Sequence, residues 1–516
     1  MKKIAGFLLI FINLLFLFLL YTQKIDLTIA DLGRHLKNGE IILKEGLSSK
    51  VLTTNFYSYT LPDQPFINHH WLTGVIFYLI YKNFNFVGLS IFYLFLGLLT
   101  WLLILIITKE ESNLFLSGFF GLFFLPLFVF RNEIRPEGFT YFFITIFIFL
   151  IIKVKNKKLN KSFLYLTLPL ITLWINLHIG FIFGFLIIFS FLFEQGIRFI
   201  TKKENDFLFI LKIFLLMIIF CCLNPYGPYG LIFPFFIFKN YGYLIVENQG
   251  VFFLEKLGFG KTLPLFYFKI ILITVIISFL LLFIFRKKDF SIFYFFIVVA
   301  LSIMSLSAIR HFPVFALLAF PALAKNLNFN FLKYFSKEDR LYFFSLIGFL
   351  FLFSLLNLII IFYQKRHFFG WGLMPKVERS AAFFINNNLN GPIFNNYDIG
   401  SYLIFYLFPK EKIFVDNRPE AYTEAFFEHI YKDAQNDFKT WQKLDKKYQF
   451  NVVFFSHRDY TPWGQNFLVT MVNKSLFIPI YVDEYNIIFL RNNKENKSLI
   501  EKYKIKKERF RIIKNN

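Results

Sequence analysis

The sequence predicts a polytopic α-helical membrane protein of about eleven spans, followed by a C-terminal α/β domain. Three observations carry this. Apolar runs long enough to cross a bilayer succeed one another from Ile4 to about Tyr363, and Lys and Arg crowd into alternate joints between them. Beyond Tyr363, short apolar stretches alternate with polar ones. The chain is 57% hydrophobic and 22% aromatic, with a mean hydropathy of +0.55, values that belong to multi-spanning membrane proteins.

A helix needs about 20 apolar residues to cross the hydrocarbon core. By that measure the spans fall at 4–21, 86–107, 114–130, 138–152, 162–177, 179–197, 207–222, 265–285, 290–308, 311–324 and 341–363. The runs at 138–152 and 311–324 are short, which implies tilt or partial re-entry. Spans 162–177 and 179–197 abut, so the chain must turn near His178. The first run lacks a small-x-small cleavage site and reads as an uncleaved helix.

Orientation follows from the short loops. With the N-terminus inside, the inner joints hold 18 Lys and Arg, against 3 in the tight outer joints 131–137, 176–180 and 309–311. The C-terminal region then lies outside, and the expected location is the cytoplasmic membrane. The net charge of +23 sits largely in these loops and calls for membrane lipid, not nucleic acid, as a partner. Two adjacent cysteines, Cys221 and Cys222, imply neither a disulfide framework nor a metal centre. The chain contains no P-loop, GxSxG, HExxH or CxxC pair, which disfavours an ATP-driven pump or a zinc protease.

The expected division is a membrane domain, 1–363, with a first outer loop, 22–85, and an extracytoplasmic α/β domain, 364–516. Within the first loop, Asp31–Leu43 and Asn68–Tyr81 have helical apolar spacing but are too short to span, so they should lie on the membrane surface. A second long outer segment, Asn224–Pro264, contains the turn-rich NPYGPYG. In the C-terminal domain IFNNYDIGSYLIFYL, KIFVDNRP, FNVVFFS and FIPIYVDEYNIIFLR read as strands or strand-led units, and Ala425–Tyr448 as helix.

Polar residues gather at the outer joints, where ionisable groups are costly and commonly functional. Asp31 precedes His35 by one helical turn, so the two share a face; a carboxylate there can act as a base or hold a cation, or simply favour the helix dipole. His69 and His70 are adjacent and point in different directions, a poor chelating pair. Arg131, Glu133, Arg135 and Glu137 share a seven-residue turn, as mutual ion pairs or as a phosphate receptor built on guanidinium forks. Asn176 and His178 occupy another tight turn, and Arg310 and His311 open the tenth span. Asp398, Asp416 and Arg418 fall at strand ends, where ligands bind but turns also form.

In order along the chain, DLGRHLKNGE, NFYSYTLPDQPFINHHWLTGVIFYLIY, RPEGFTYFF, WINLHIGFIFGF, NPYG, RHFPVFALLAFPALA and IFNNYDIGSYLIFYLFPKEKIFVDNRPEAY resemble the GT-C superfamily of membrane glycosyltransferases, and within it bacterial proteins allied to protein mannosyltransferases and lipid A aminoarabinose transferases. The resemblance implies an active site at the outer membrane face and a polyprenyl-phosphate sugar donor. The acceptor would be a glycan, lipid or protein. It places the catalytic base at Asp31 and leaves a divalent metal ion open as a cofactor. His35, His69, His70, Arg131, Glu133, Arg135, Glu137, Asn176, His178, Arg310 and His311 would then line the substrate site, with Arg131, Arg135 and Arg310 stabilising the departing phosphate. The likeness leads one to expect an acidic residue after the first histidine of NHHW, where this chain has His70. A second carboxylate would then have to come from Glu133 or Glu137, or is not needed. The alternative is a non-catalytic transporter or assembly scaffold for lipid-linked saccharides, which would tolerate Asp31→Asn.

Overall fold

The computed structural model describes all residues except 1, 30, 238–239, 260–261, 329–335 and 512–516. The centre of the basic joint Lys325–Arg340 and parts of the Asn224–Pro264 segment therefore lie outside the described residues. The chain divides into two compact units. One comprises residues 1–24, 90–234 and 245–371, and the other residues 25–89, 235–244 and 372–516.

The first unit is a helical bundle. Each of the eleven apolar runs lies on a helix. Among the described residues seven helices are long and apolar enough to cross a membrane. The others are shorter: Lys161–Leu177, Phe207–Cys221, Ile292–Ser307 and Phe312–Asn326. The run expected to be short at 138–152 is in fact a 19-residue helix, Glu137–Lys155, because the polar residues at both its ends continue the helix.

Two helices are buried on nearly every face, Leu114–Phe128 and Phe312–Asn326, as all-round hydrophobic sequences require of a bundle centre. Asn13 makes a polar joint to the first of them. Its amide donates to the Gly118 carbonyl at 2.7 Å, and its Oδ1 accepts from Trp101 Nε1 at 3.2 Å. Burying an amide in an apolar bundle is tolerable only when it is satisfied in this way.

The helix Glu137–Lys155 is about 28 Å long at 1.5 Å per residue, and its ends have different chemistry. Its start joins the arginine-rich network described below. At its end Lys153 pairs with Glu110 and Lys155 with Glu194 at 2.7 Å, while Lys325 meets Glu111 at 2.6 Å. The alternation of joints read from the sequence thus separates two ion networks at opposite ends of one helix.

In the second unit the first-loop helices pack with the C-terminal segments. The helix Leu32–Glu45 buries Leu32, Leu36, Ile41 and Ile42. It crosses the helix that starts at Trp71 where two glycines meet: a Cβ on Gly39 would stand 2.0 Å from the Gly74 carbonyl oxygen. The Asn68–Tyr81 surface helix and the 86–107 span are not separated by a loop. They are two helices within Trp71–Glu111 that meet at a kink at Asn85, whose φ of 55° and ψ of −163° are not helical. This conformation lies outside the left-handed helical region and close to one that glycine alone adopts freely, so the single-residue corner is strained.

The sheet has four strands: β1 (Ile393–Asn395), β2 (Val452–Ser456), β3 (Phe477–Val482) and β4 (Asn486–Arg491), in the order β1-β2-β4-β3. β1 and β2 are parallel, and the other pairs are antiparallel. Aromatic residues fill its core, among them Phe394, Phe414, Trp441, Phe450, Phe455, Phe467 and Phe489. Two expectations need correction. KIFVDNRP is not a ladder strand, since it makes only an isolated bridge between Ile413 and Ser58; Pro419 and the turn at Asp416 end its pairing. Ala425–Tyr448 is not one helix. A π-helical segment, Phe426–Lys432, leads into Asp433–Asn436, and Asp437 then caps a new helix, Phe438–Tyr448, by accepting from Thr440 N.

Asp398 follows β1 and is partly buried beside Asp459. Burial first, and then the charge of Asp459, push its carboxyl up to about 7. A carboxyl raised in the folded state contributes stability that is complete below its ordinary range and lost as pH rises through about 7. Thermal melting of the whole protein in detergent should therefore show a steeper fall in stability from pH 5 to pH 8 for wild type than for Asp398→Asn. The predicted difference is on the order of 1–4 kcal/mol. Equal slopes would mean that the Asp398 carboxyl ionises as it does in water.

Candidate functional site

Each unit carries its own cluster of the residues singled out from the sequence. In the second unit, Asp31 occupies the N-cap position of the helix Leu32–Glu45. The i, i+3 and i, i+4 spacings bring Arg34 and His35 onto the same face, and Asp31 Oδ2 lies 3.1 Å from both Arg34 Nη2 and His35 Nε2. The carboxylate only accepts and the guanidinium only donates. His35 Nε2 therefore fits as a second donor to Asp31. Arg34 and His35 are buried, whereas the Asp31 side chain keeps 20% of its surface exposed. The arrangement is a carboxylate fixed from behind by two donors and reachable from in front.

The backbone N–H of Arg34 donates to Ser401 Oγ at 2.8 Å, which ties this helix start to the segment after β1. The His70 ring stands edge-on to His35 with centroids 5.3 Å apart and lies 3.9 Å from the His69 ring. His69 Nδ1 is 3.1 Å from the Ile67 carbonyl. Asp31, His35, His69 and His70 are thus one cluster. Arg34 belongs to it and was not singled out from the sequence, although its i+3 spacing from Asp31 was a usable signal.

In the first unit, Arg131 is buried and engages two carboxylates. Its guanidinium lies 2.9 Å from Glu137 Oε1 and 2.5 Å from Glu247 Oε2. Arg135 approaches Glu247 at 3.6 Å and Arg310 approaches Glu137 at 3.3 Å; Arg310 also donates to Asn248 at 2.8 Å. Three guanidinium groups against two carboxylates leave one positive charge. Burial alone would raise the Glu247 carboxyl, but the charge of Arg131, then of Arg135 and Arg310, outweighs it and holds the group below the ordinary range. Glu247 escaped the sequence reading because it lies alone in a long segment, with no local pattern marking it. Glu133 lies 3.7 Å from Lys365 and also feels the charges of Arg135 and Arg131.

His178 caps the turn between the adjacent helices in extended conformation. Its Nδ1 accepts from Gly180 N at 3.0 Å, which places the ring proton of a neutral imidazole on Nε2. Thr140 Oγ1 lies 2.7 Å from the same nitrogen and accepts from Trp174 Nε1. Only glycine fits at 180, where a Cβ would stand 2.3 Å from Thr140 Oγ1. His178 also interacts electrostatically with Glu137. Asn176 donates to the carbonyls of Thr172 and Leu223 and stitches two helices together. The His311 ring stands edge-on to Phe183 at 5.8 Å.

Asp416 and Arg418 bind each other. Their fork of contacts, 2.7 Å from Nε to Oδ1 and 2.5 Å from Nη2 to Oδ2, is fully buried.

No protein-family model and no curated protein matches the chain. Among solved structures it is similar to the crystal structure of the Archaeoglobus fulgidus oligosaccharyltransferase in complex with Zn and sulfate. That likeness has 13% identity, covers 94% of this chain and 73% of that chain, and has a TM-score of 0.57. The apo form of the same enzyme is similar at 10% identity, 95% and 75% coverage and a TM-score of 0.53. The archaeal crystal contained zinc, but the residues here do not fit a metal ion as arranged. Among the described residues no three His, Cys, Asp or Glu side chains form a candidate metal group, and beside Asp31 the positive charge stands on Arg34. At these identities the likeness is one of architecture: the chain is a membrane protein with the GT-C fold of that oligosaccharyltransferase.

Proposed function

We propose that the protein is an inverting glycosyltransferase of the cytoplasmic membrane, with its N-terminus inside and its α/β region outside. It takes a sugar from a polyprenyl-phosphate donor and passes it to a glycan, lipid or protein acceptor. The observation that carries the reading is Asp31, a partly exposed carboxylate fixed by two buried donors, in a chain with the GT-C fold.

The acceptor oxygen attacks the anomeric carbon, and the carbon–oxygen bond to phosphate breaks. The phosphate leaves with the electron pair, and the acceptor proton passes to Asp31. Arg34 and His35 hold Asp31 in place for this role. Arg131, Arg135 and Arg310 receive the developing charge on the phosphate, the kind of electrostatic stabilisation that is usually the largest single contribution to such transfers. A donor phosphodiester carries one negative charge, which the single excess positive charge of the arginine network balances. His69, His70, Glu133, Glu137, Asn176, His178 and His311 would shape the surroundings.

The test is sugar transfer from radiolabelled polyprenyl-phosphate sugars by the purified protein in lipid nanodiscs, with and without divalent cation. Transfer with inversion at the anomeric carbon is expected. Failure to bind any phosphate-linked lipid would sink the reading. The presence of His70 where an acid is expected favours a second reading, a binding scaffold, for which lipid binding would persist with no transfer to any offered acceptor.

A further inference from the structure

Of the buried hydrogen-bond donors in the first unit that have no acceptor among the described residues, two adjoin the arginine network. They are the Nε–H of Arg131 and the hydroxyl of Tyr141. Both residues are more than nine-tenths buried, at 6% and 3% exposure. Tyr141 lies one helical turn beyond Glu137 and on the same face. Its hydroxyl interacts electrostatically with Arg131, then with Glu137, Arg310 and Glu133. It therefore adjoins the arginine network without bonding to it.

Tyr141 also lines a small cavity of about 10 Å³, room for about one oxygen atom, walled by Tyr21, Tyr93, Leu96, Thr100, Phe128 and the glycines 97 and 138. The glycines keep the wall thin, since a Cβ at Gly138 would stand 2.6 Å from the Tyr93 ring and one at Gly97 2.5 Å from the Tyr21 ring. Buried donors without partners are costly, and a native protein seldom leaves two neighbouring ones without an acceptor to receive. Donors of this kind, one of them on a cation, call for an oxygen, and best for an anionic one.

We propose that Tyr141 and Arg131 form an oxygen-binding pocket that takes a phosphate oxygen of the lipid donor, which makes Tyr141 a further donor-binding residue. The inference rests on the polyprenyl-phosphate reading above. The Arg131 fork is taken by Glu137 and Glu247, so its Nε–H is the remaining donor for substrate, and Tyr141 supplies the second. The arginines provide charge, and the phenol fixes where one oxygen sits.

The experiment measures binding of undecaprenyl monophosphate and of undecaprenol to the whole protein in nanodiscs, for wild type and Tyr141→Phe, together with melting temperatures. The substitution removes one oxygen and no carbon. Expected are a loss of about tenfold or more in affinity for the phosphate lipid, unchanged affinity for the alcohol, and a ligand-free variant that melts no lower than wild type. Unchanged phosphate affinity in the variant, while wild type binds well, overturns the pocket and leaves the donor reading standing. A variant that melts below wild type without ligand means that a structural water already satisfies the hydroxyl, and also overturns it. If wild type does not distinguish the phosphate from the alcohol, the donor reading itself fails and the inference falls with it.

Discussion

Asp31→Asn should abolish sugar transfer, lowering the rate by about 10²–10⁴, the usual contribution of a positioned general base. It should leave binding of the donor lipid unchanged. The substitution keeps the size of the side chain and leaves an oxygen to accept from Arg34 and His35, so the helix start should hold. What is lost is the charge and the capacity to take the acceptor proton. The partners sharpen the expectation, because Arg34 and His35 are buried and both reach the same oxygen, Oδ2. Replacing His35 by Gln should therefore cost less than replacing Asp31, since Arg34 still orients the carboxylate. Single-turnover transfer and lipid binding measured on the same preparations separate the roles. If Asp31→Asn transfers sugar at the wild-type rate, the base is elsewhere, and the cluster of Asp31 with His35 and His70 is structural.

Much of the architecture was legible because its signals are local. Among the described residues each of the eleven apolar runs falls on a helix, although only seven of those helices are long and apolar enough to cross a membrane, and the alternation of lysine-rich joints separated the two ion networks at the ends of Glu137–Lys155. The Asp31–His35 pairing followed from helical spacing alone. What was missed depends on distant partners. Glu247 meets Arg131 across 116 residues, and no window contains both. Asp416 and Arg418 read equally as ligands or as turn residues, because their sequence spacing carries no record of Asn55, some 363 residues away. KIFVDNRP has strand-like composition, yet propensity cannot say whether a neighbouring strand will offer it a ladder. Length and hydropathy separated the Asn68–Tyr81 helix from the 86–107 span, but did not show that the single residue Asn85 joins the two.

The largest effect on stability is expected at Arg418. Arg418→Met should destabilise the protein by about 3–5 kcal/mol, the usual cost of leaving one member of a buried pair without the other. Asp416 is completely buried and Arg418 2% exposed. The guanidinium forks onto the carboxylate, donates to Asn55 Oδ1 at 2.6 Å and lies over the Phe66 ring at 4.6 Å. Without it Asp416 keeps only the backbone N–H of Arg418 and the Tyr422 hydroxyl as donors, which leaves most of a buried charge unanswered. Combining Arg418→Met with Asp416→Asn should recover a large part of the loss, because the cost lies in the unmatched charge more than in the missing bond. Asn55 and Phe66 belong to the first-loop segment, and Asp416 to the segment that packs on Gly400, next to the Ser401 hydroxyl that caps Arg34 N. Loosening the pair should thus also loosen the start of the Asp31 helix, and transfer activity should fall at temperatures below the melting transition. Melting curves for the two single variants and the double variant test the energetic argument. A double variant as unstable as the sum of the singles would show that the pair acts through packing and hydrogen bonds, with the buried charge of little consequence.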